Sequence, residues 1–164
     1  MLRWIAFALA GVVAPVGLAA LVGFFLPKGH RASRTVVYDA PPGAVFAAIT
    51  DFASFPQWRS DVKSVTLLPA TGVVRFREEG AQGTITYRVE ERTPDSRLVT
   101  TIDDPSLPFG GRWTFALEPA GGGTKLTITE EGEIYNPLFR VMSRLFFSPY
   151  DTIDTYQTDL RRRL

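Results

Sequence analysis

Between Arg34 and Glu133 the sequence consists of short runs in which apolar and polar residues alternate. A period of two is typical of strands whose faces meet different environments. Short turn-forming segments separate the runs, so neighbouring strands are predicted to be antiparallel. Such a sheet needs a partner that covers its apolar face. After a first strand at 34–39, the predicted strands are 62–68, 72–79, 83–92, 97–103, 112–118 and 124–134.

The alternation also assigns side chains to the two faces of the sheet. Phe76, Tyr87, Trp113 and Phe115 fall on the apolar, inward face, whereas their neighbours are mostly polar. The same parity places Glu78 and Glu130 inside, where a carboxylate must find a partner or stay protonated. Glu78, Tyr87 and Glu130 are therefore the candidates for proton transfer.

The C-terminal stretch 136–164 is predicted to be the helix that covers the sheet. Asn136 suits the N-cap and Pro137 the first helical position. Pro149 should kink this helix or end its first half. The helical spacing brings the following residues to one face: Leu138, Val141, Met142, Leu145, Phe146, Ile153, Tyr156 and Leu160.

Two short helices are predicted to follow the first strand. The first covers residues 44–50, after the Pro41-Pro42-Gly43 turn. The second covers residues 51–55, with Asp51 as its cap and Pro56 as its stop. They should close one end of the space that the sheet encloses.

Residues 4–26 form an uncharged run of 23 residues. As a helix the run is roughly 35 Å long, enough to cross a hydrocarbon core of about 30 Å. We interpret it as a single-pass transmembrane anchor. The alternatives are a cleaved signal peptide, which has a shorter apolar part, and a buried core helix, for which a polar face is missing. The predicted division is an anchor at 1–27, a basic linker at 28–33 that includes His30, and a domain at 34–164.

The distribution of charged residues limits the possible binding partners and indicates an orientation in the membrane. Residues 1–34 carry four basic residues and no acidic one, which leaves 14 basic and 17 acidic residues in 35–164. This balance argues against nucleic acid as a partner, because nucleic-acid binding needs clustered cations. The basic residues after the run outnumber Arg3 plus the terminal amine by one charge, which places the domain on the cytoplasmic side. The chain has no cysteine, and neither a metal nor a cofactor motif is visible.

The order of elements and several motifs resemble a known family. The motifs are Ala40-Pro41-Pro42-Gly43-Ala44-Val45-Phe46, the stretch from Thr50 to Trp58, the strand 113–119 and Asp159-Leu160 in the last helix. They resemble the START/Bet v 1-like (SRPBCC) superfamily, in its polyketide cyclase/dehydrase and lipid-transport branch. The resemblance implies an α+β helix-grip fold, with about seven antiparallel strands curved around a long C-terminal helix. It also implies an apolar cavity for lipids, hormones or polyketides.

Three functional hypotheses follow. The first is a membrane-anchored domain that binds a hydrophobic small molecule or lipid. The second is an enzyme of the cyclase/dehydratase type that uses Glu78, Tyr87 or Glu130. The third is a ligand-free tethered interaction module, because cavity walls and filled cores have the same composition. The expected cavity residues are Trp58, Phe76, Tyr87, Trp113, Phe115, Met142 and Phe146.

Overall fold

The computed structural model describes residues 17–69 and 72–164. Seven antiparallel strands form one sheet in the order β1-β7-β6-β5-β4-β3-β2, so consecutive hairpins run from β2 to β7 and β1 joins beside β7. This confirms the predicted α+β class with its antiparallel sheet and C-terminal helix. The elements are α1 (17–25), β1 (Gly29–Tyr38), α2 (Pro42–Thr50), a 3-10 turn (Phe52–Ser54), α3 (Phe55–Trp58), β2 (Val62–Leu68), β3 (Arg75–Gly80), β4 (Gly83–Thr93), β5 (Arg97–Ile102), β6 (Phe109–Ala120), β7 (Gly123–Ile134), α4 (Pro137–Phe146) and α5 (Asp151–Arg163).

The predicted transmembrane anchor lies mostly outside the described residues, which include only positions 17–26 of the 4–26 run. Within the described ranges, no helix combines the length and the apolar character needed to cross a membrane.

Strand β1 begins earlier than predicted. It pairs with β7 along its whole length, from Gly29 opposite Glu133 to Tyr38 opposite Thr124. Residues 29–33, for which the sequence predicts a linker, are therefore strand. Their polar and small side chains carry little strand signal of their own, and the pairing with β7 imposes the extended conformation. The correction brings His30 into the sheet, directly opposite Gly132.

The second short helix also differs from the prediction. Pro56 lies in the first turn of α3, where its missing N–H costs nothing, so this proline starts a helix and does not end one. The side chain of Asp51 makes no capping hydrogen bond to the 3-10 turn that follows it. The turn and α3 together bring Phe52 and Phe55 into the core.

The C-terminal stretch forms two helices, α4 and α5, separated at residues 147–150 around Pro149. Asn136 caps α4 as predicted, since its Oδ1 accepts a hydrogen bond from the Phe139 N–H at 3.1 Å. Only α5 packs its apolar face on the sheet, with Ile153, Tyr156 and Leu160 buried.

Helix α4 does not cover the sheet in the predicted way. Its buried residue is Arg140, 3% exposed, whereas Met142 and Phe146 point outward at 43% and 67%. The guanidinium of Arg140 donates hydrogen bonds to backbone carbonyls, two of them at the end of α1, and these bonds turn the apolar face away from the sheet. The prediction that the apolar face of the C-terminal stretch covers the sheet is therefore wrong for α4.

A buried carboxylate fixes α5 to the loop before β2. Asp159 is 3% exposed, and its Oδ2 accepts hydrogen bonds from the Ser60 N–H at 2.7 Å and from the Ser60 hydroxyl at 2.6 Å. On the other side of α5, the Tyr38 hydroxyl donates to the Gln157 carbonyl at 3.1 Å. These contacts hold the helix over the sheet at both edges.

We expect Asp159→Ala to lower the free energy of unfolding by about 2 kcal/mol, because hydrogen bonds to a charged acceptor contribute more than neutral ones. Denaturant unfolding of the full chain in detergent measures the change. Arg162→Ala is the matched control, since Arg162 also contacts Asp159, at 3.1 Å, from an exposed position. The control should change stability by less than about 0.5 kcal/mol, and equal effects of the two substitutions would contradict this role of Asp159.

Candidate functional site

A cavity of about 480 Å³ lies between the helix-covered face of the sheet and the helices α3 and α5. Small-molecule sites typically occupy roughly 300–1,000 Å³, so the space suits a ligand. Aromatic and aliphatic side chains form most of its wall, with a few polar groups among them.

The aromatic wall follows directly from strand alternation. Phe76 on β3 stacks on Phe52 with ring centroids 4.1 Å apart, and on Tyr87 of β4 at 5.2 Å. On the opposite side, Phe115 of β6 meets Tyr156 of α5 at 5.4 Å. Each of these strand residues lies on the inward parity of its strand, so neighbouring strands bring their rings together.

A buried ion cluster forms one part of the wall. Arg59 donates from Nη1 to Glu78 Oε1 at 2.8 Å, and its Nε and Nη2 form a bidentate pair with Asp61 at 3.1 and 2.6 Å. Burial favours the neutral form of Arg59, but the two carboxylates outweigh it and raise the pKa of the guanidinium. Burial raises the pKa of Glu78, and the Arg59 charge opposes this rise. Arg59 therefore carries a permanent charge that is already neutralised from two sides.

Two tyrosine hydroxyl groups belong to the same wall. Burial raises the pKa values of both Tyr87 and Tyr156, so both phenols stay neutral and can donate hydrogen bonds. Among the residues that the structure describes, the buried Tyr156 Oη has no hydrogen-bond partner. A buried hydroxyl in this state is costly, and the side chain that carries it belongs to the cavity wall.

His30 and Glu130 form a second polar pair in the wall. His30 Nε2 lies 3.7 Å from Glu130 Oε1. Burial raises the pKa of Glu130 to about 7, and burial together with the Arg144 charge lowers the pKa of His30. The imidazole lies over Gly132, where a Cβ would collide with the ring. The pair therefore combines a carboxyl that titrates near neutral pH with a largely neutral imidazole.

Beside α4 the cavity lining reaches the surface, since Phe139 and Phe147 are 39% and 65% exposed, and this part of the rim is called the mouth. Phe139 and Ser143 of this helix and the following Phe147 and Ser148 belong to its lining. Phe139 faces Phe109, at the start of β6, with ring centroids 6.4 Å apart. The sequence pattern places the start of this strand at residue 112, but β6 already begins at Phe109.

The structure brings most of the predicted site residues together. Those that line the cavity are Phe76, Glu78, Tyr87, Trp113, Phe115 and Glu130. Trp58 lies behind the wall, edge-on to Phe55 and Tyr156, each with ring centroids 5.4 Å away. Met142 and Phe146 lie outside the cavity, on the outward face of α4.

The polar lining residues that the predicted set lacks include His30, Arg59, Asp61 and Tyr156. The helical spacing assigns Tyr156 to the covering face of the helix, which is the available signal for it. The sequence assigns His30 to a linker, and Arg59 and Asp61 follow a short helix where no periodicity indicates a direction. Across residues 17–69 and 72–164, no group of three His, Asp or Glu side chains is arranged to hold a metal ion.

Comparison with known proteins identifies the family. Residues 29–160 match the family described as polyketide cyclase/dehydrase and lipid transport. The match covers most of the chain, and the chain therefore belongs to this family. No curated protein sequence matches the chain.

Solved structures show the same fold. A START superfamily protein from Mycobacterium smegmatis is 19% identical, with a TM-score of 0.66 over 82% of this chain and 96% of its own. An aromatase/cyclase from Streptomyces sp. R1128 is 12% identical, with a TM-score of 0.70 over 82% and 93%. A protein from Thermus thermophilus is 22% identical, with a TM-score of 0.64 over 82% and 95%. At these identities the likeness shows the fold alone.

The raised pKa of Glu130 makes stability depend on pH. The folded chain keeps a proton on this carboxyl that the unfolded chain loses above its ordinary pKa of 4.5, so stability falls as pH rises from about 4.5 to about 7. We expect Glu130→Gln to remove this loss, with an advantage over the wild type that grows across this window to about 3 kcal/mol. Unfolding measured from pH 4 to 8 tests it. Both proteins retain His30, so a difference that stays constant with pH would contradict the assignment.

Proposed function

We propose that this chain is a membrane-tethered binding protein for an apolar or amphipathic small molecule, such as a lipid, held between the sheet and α5. The observation that carries the proposal is the aromatic-lined cavity of about 480 Å³. A ligand-free interaction module would instead fill this space with side chains, as protein cores normally do.

The polar groups of the wall favour a ligand with a hydrogen-bonding group. The Tyr156 hydroxyl has no partner in the described part of the chain and can donate to a ligand oxygen. The nearby Arg59 is held by Glu78 and Asp61, so it supplies no free positive charge for a fully anionic ligand. A carbonyl, hydroxyl or ester oxygen on an otherwise apolar molecule suits this wall.

The membrane tether is proposed from the sequence and from α1. The uncharged run 4–26 has the length of a transmembrane helix. In its described part, Leu21, Phe24 and Phe25 are exposed on α1, at 58%, 70% and 78%. Large exposed apolar side chains in sequence continuity with such a run fit an environment of lipid better than water.

The first experiment is native mass spectrometry of the full chain extracted in detergent, followed by organic extraction and identification of the bound molecule. We expect Tyr156→Phe to weaken binding of that molecule about five- to tenfold, because the substitution removes one hydrogen bond while keeping the ring. The unliganded variant should be at least as stable as the wild type, because it no longer buries an unpartnered hydroxyl.

Tyr38→Phe is the matched control for this substitution. The Tyr38 hydroxyl is buried but already bonded to Gln157 outside the cavity lining, so its loss should cost about 1 kcal/mol of stability and leave affinity unchanged. An empty protein, with no thermal shift across lipids and aromatic polyketides, would contradict the binding function.

A second candidate function is an enzyme of the cyclase/dehydratase type, and the His30–Glu130 pair favours it. A carboxyl with a pKa near 7 can both give and accept a proton at neutral pH, as general acid–base chemistry requires. Glu78 is less suited, because Arg59 holds it in an ion pair. Tyr87, as a neutral phenol, can donate a hydrogen bond to a developing oxyanion.

If the chain is an enzyme, Glu130→Gln should lower kcat at least about 100-fold while ligand affinity changes little, because amide and carboxyl groups have similar shapes. Glu79→Gln is the control, since Glu79 lies next to Glu78 on the outward parity of β3. A Glu130→Gln variant with wild-type turnover of a polyketide substrate would exclude this role.

A further inference from the structure

The outward face of α4 is apolar over its whole length. Leu138, Met142, Leu145 and Phe146 share this face, because helical residues are offset by about 100° each and Arg140 points the opposite way. Leu145 and Phe146 are 68% and 67% exposed, and Phe147, just after the helix, is 65% exposed. A helix with one buried arginine and an exposed apolar face is inverted relative to a normal surface helix.

Arg140 explains why the helix is held in this orientation. Its guanidinium donates to the carbonyls of Gly23 at 2.8 Å and Leu26 at 3.0 Å, at the end of α1. It also donates to the carbonyls of Ile134 and Tyr135, both at 2.9 Å. Carbonyls at a helix C-terminus carry partial negative charge, so they suit a buried cation. Arg140 therefore binds α4 to α1.

The contact between the two helices leaves no space for adjustment. Gly23 of α1 lies directly against Pro137, where a Cβ would collide with the proline backbone. Arg144, one turn after Arg140, donates to the Pro27 carbonyl at 3.2 Å. The apolar face of α4 thus stands at a fixed position beside the point where the chain leaves the uncharged run 4–26.

We propose that the outward face of α4 docks on the surface of the lipid bilayer and places the mouth of the cavity against the lipid. The inference rests on the proposed membrane tether. If residues 4–26 lie in the bilayer, α4 is fixed at its surface by the contacts with α1. An amphipathic helix in that position inserts its apolar side chains at the headgroup boundary.

Charge favours the bilayer over a protein partner. Besides the buried Arg140, helix α4 contains the exposed Arg144 and no acidic residue. Lys28 follows α1 directly and is exposed at the same end of the molecule, where Arg31 is paired with Glu131 at 3.6 Å. Exposed basic residues around an apolar helix face suit lipid phosphates and the negative surface of a membrane.

The same helix forms part of the cavity mouth, which gives the docking a function. Phe139 and Ser143 line the cavity from one edge of α4, while Met142 and Leu145 belong to the outward face. A bilayer that covers the outward face therefore reaches the rim of the mouth. An apolar ligand can then pass between bilayer and cavity without crossing water, which removes the cost of hydrating it.

The cationic C-terminus belongs to the opposite end of the molecule. Arg161 lies over the Tyr38 ring at 5.4 Å, and Tyr38 ends the strand that begins at Gly29. A strand of 10 residues is about 30 Å long. The Arg161–Arg163 segment therefore does not share the α4 surface, and this end supplies control positions.

The absence of cysteine from the sequence allows a direct test. The full chain with Leu145→Cys, labelled with an environment-sensitive nitrobenzoxadiazole dye, is reconstituted into vesicles of neutral and anionic phospholipids. Val37→Cys, exposed at the far end, is the matched control. We expect the dye at position 145 to be quenched by lipids with shallow spin labels and to be at least about threefold less accessible to iodide than the dye at position 37.

Phe146→Glu in the labelled Leu145→Cys protein should abolish the lipid quenching while the chain still floats with the vesicles, because a charge opposes insertion and the tether remains. Arg163→Glu should leave the quenching unchanged.

Equal iodide access at positions 145 and 37 would overturn the docking proposal. Protection from iodide without lipid quenching would also overturn it, by indicating cover by protein. Flotation without lipid quenching overturns docking alone, whereas a wild-type chain that does not float overturns the tether as well.

Discussion

The covering of the sheet by helices is the constraint on which the rest of the structure depends. Strands β6 and β7 have 12 residues each and are about 40 Å long, whereas α5 has 13 residues and is only about 20 Å long. A single α5 cannot cover such strands. The short helices α2 and α3 close one part of the remaining face and α4 borders another. The space between these covers is the cavity.

The buried charges inside this space are tolerable because they are paired with one another. Arg59 is satisfied by Asp61 and Glu78, and the three charges are arranged so that no unpaired charge is buried. Glu130 has no such ion pair, and burial raises its pKa to about 7, so this carboxyl is neutral below that pH. Tyr156 has no such solution within the described chain, which is why its hydroxyl defines the polar end of the proposed ligand.

The sheet could be predicted well from the sequence because strand parity is a local property. Parity alone brings Phe76, Tyr87 and Phe115 to one wall and places Glu78 and Glu130 among them. Prediction from the sequence fails for α4, because helical periodicity identifies an apolar face but does not show what that face contacts. The decisive residue is Arg140, whose partners at Gly23 and Leu26 lie more than 110 positions away. His30 escapes prediction for the same reason, since its strand exists only through pairing with β7.

Gly132 leaves the space that the imidazole of His30 occupies on the neighbouring strand, so the side-chain sizes at these two positions depend on each other. Any side chain at 132 would occupy the volume of the ring, and without the ring a glycine there would leave a void beside Glu130. Each residue therefore sets the size limit of the other. In homologous chains positions 30 and 132 should therefore change together. A larger side chain at one position should accompany a smaller side chain at the other, so that their total volume stays constant.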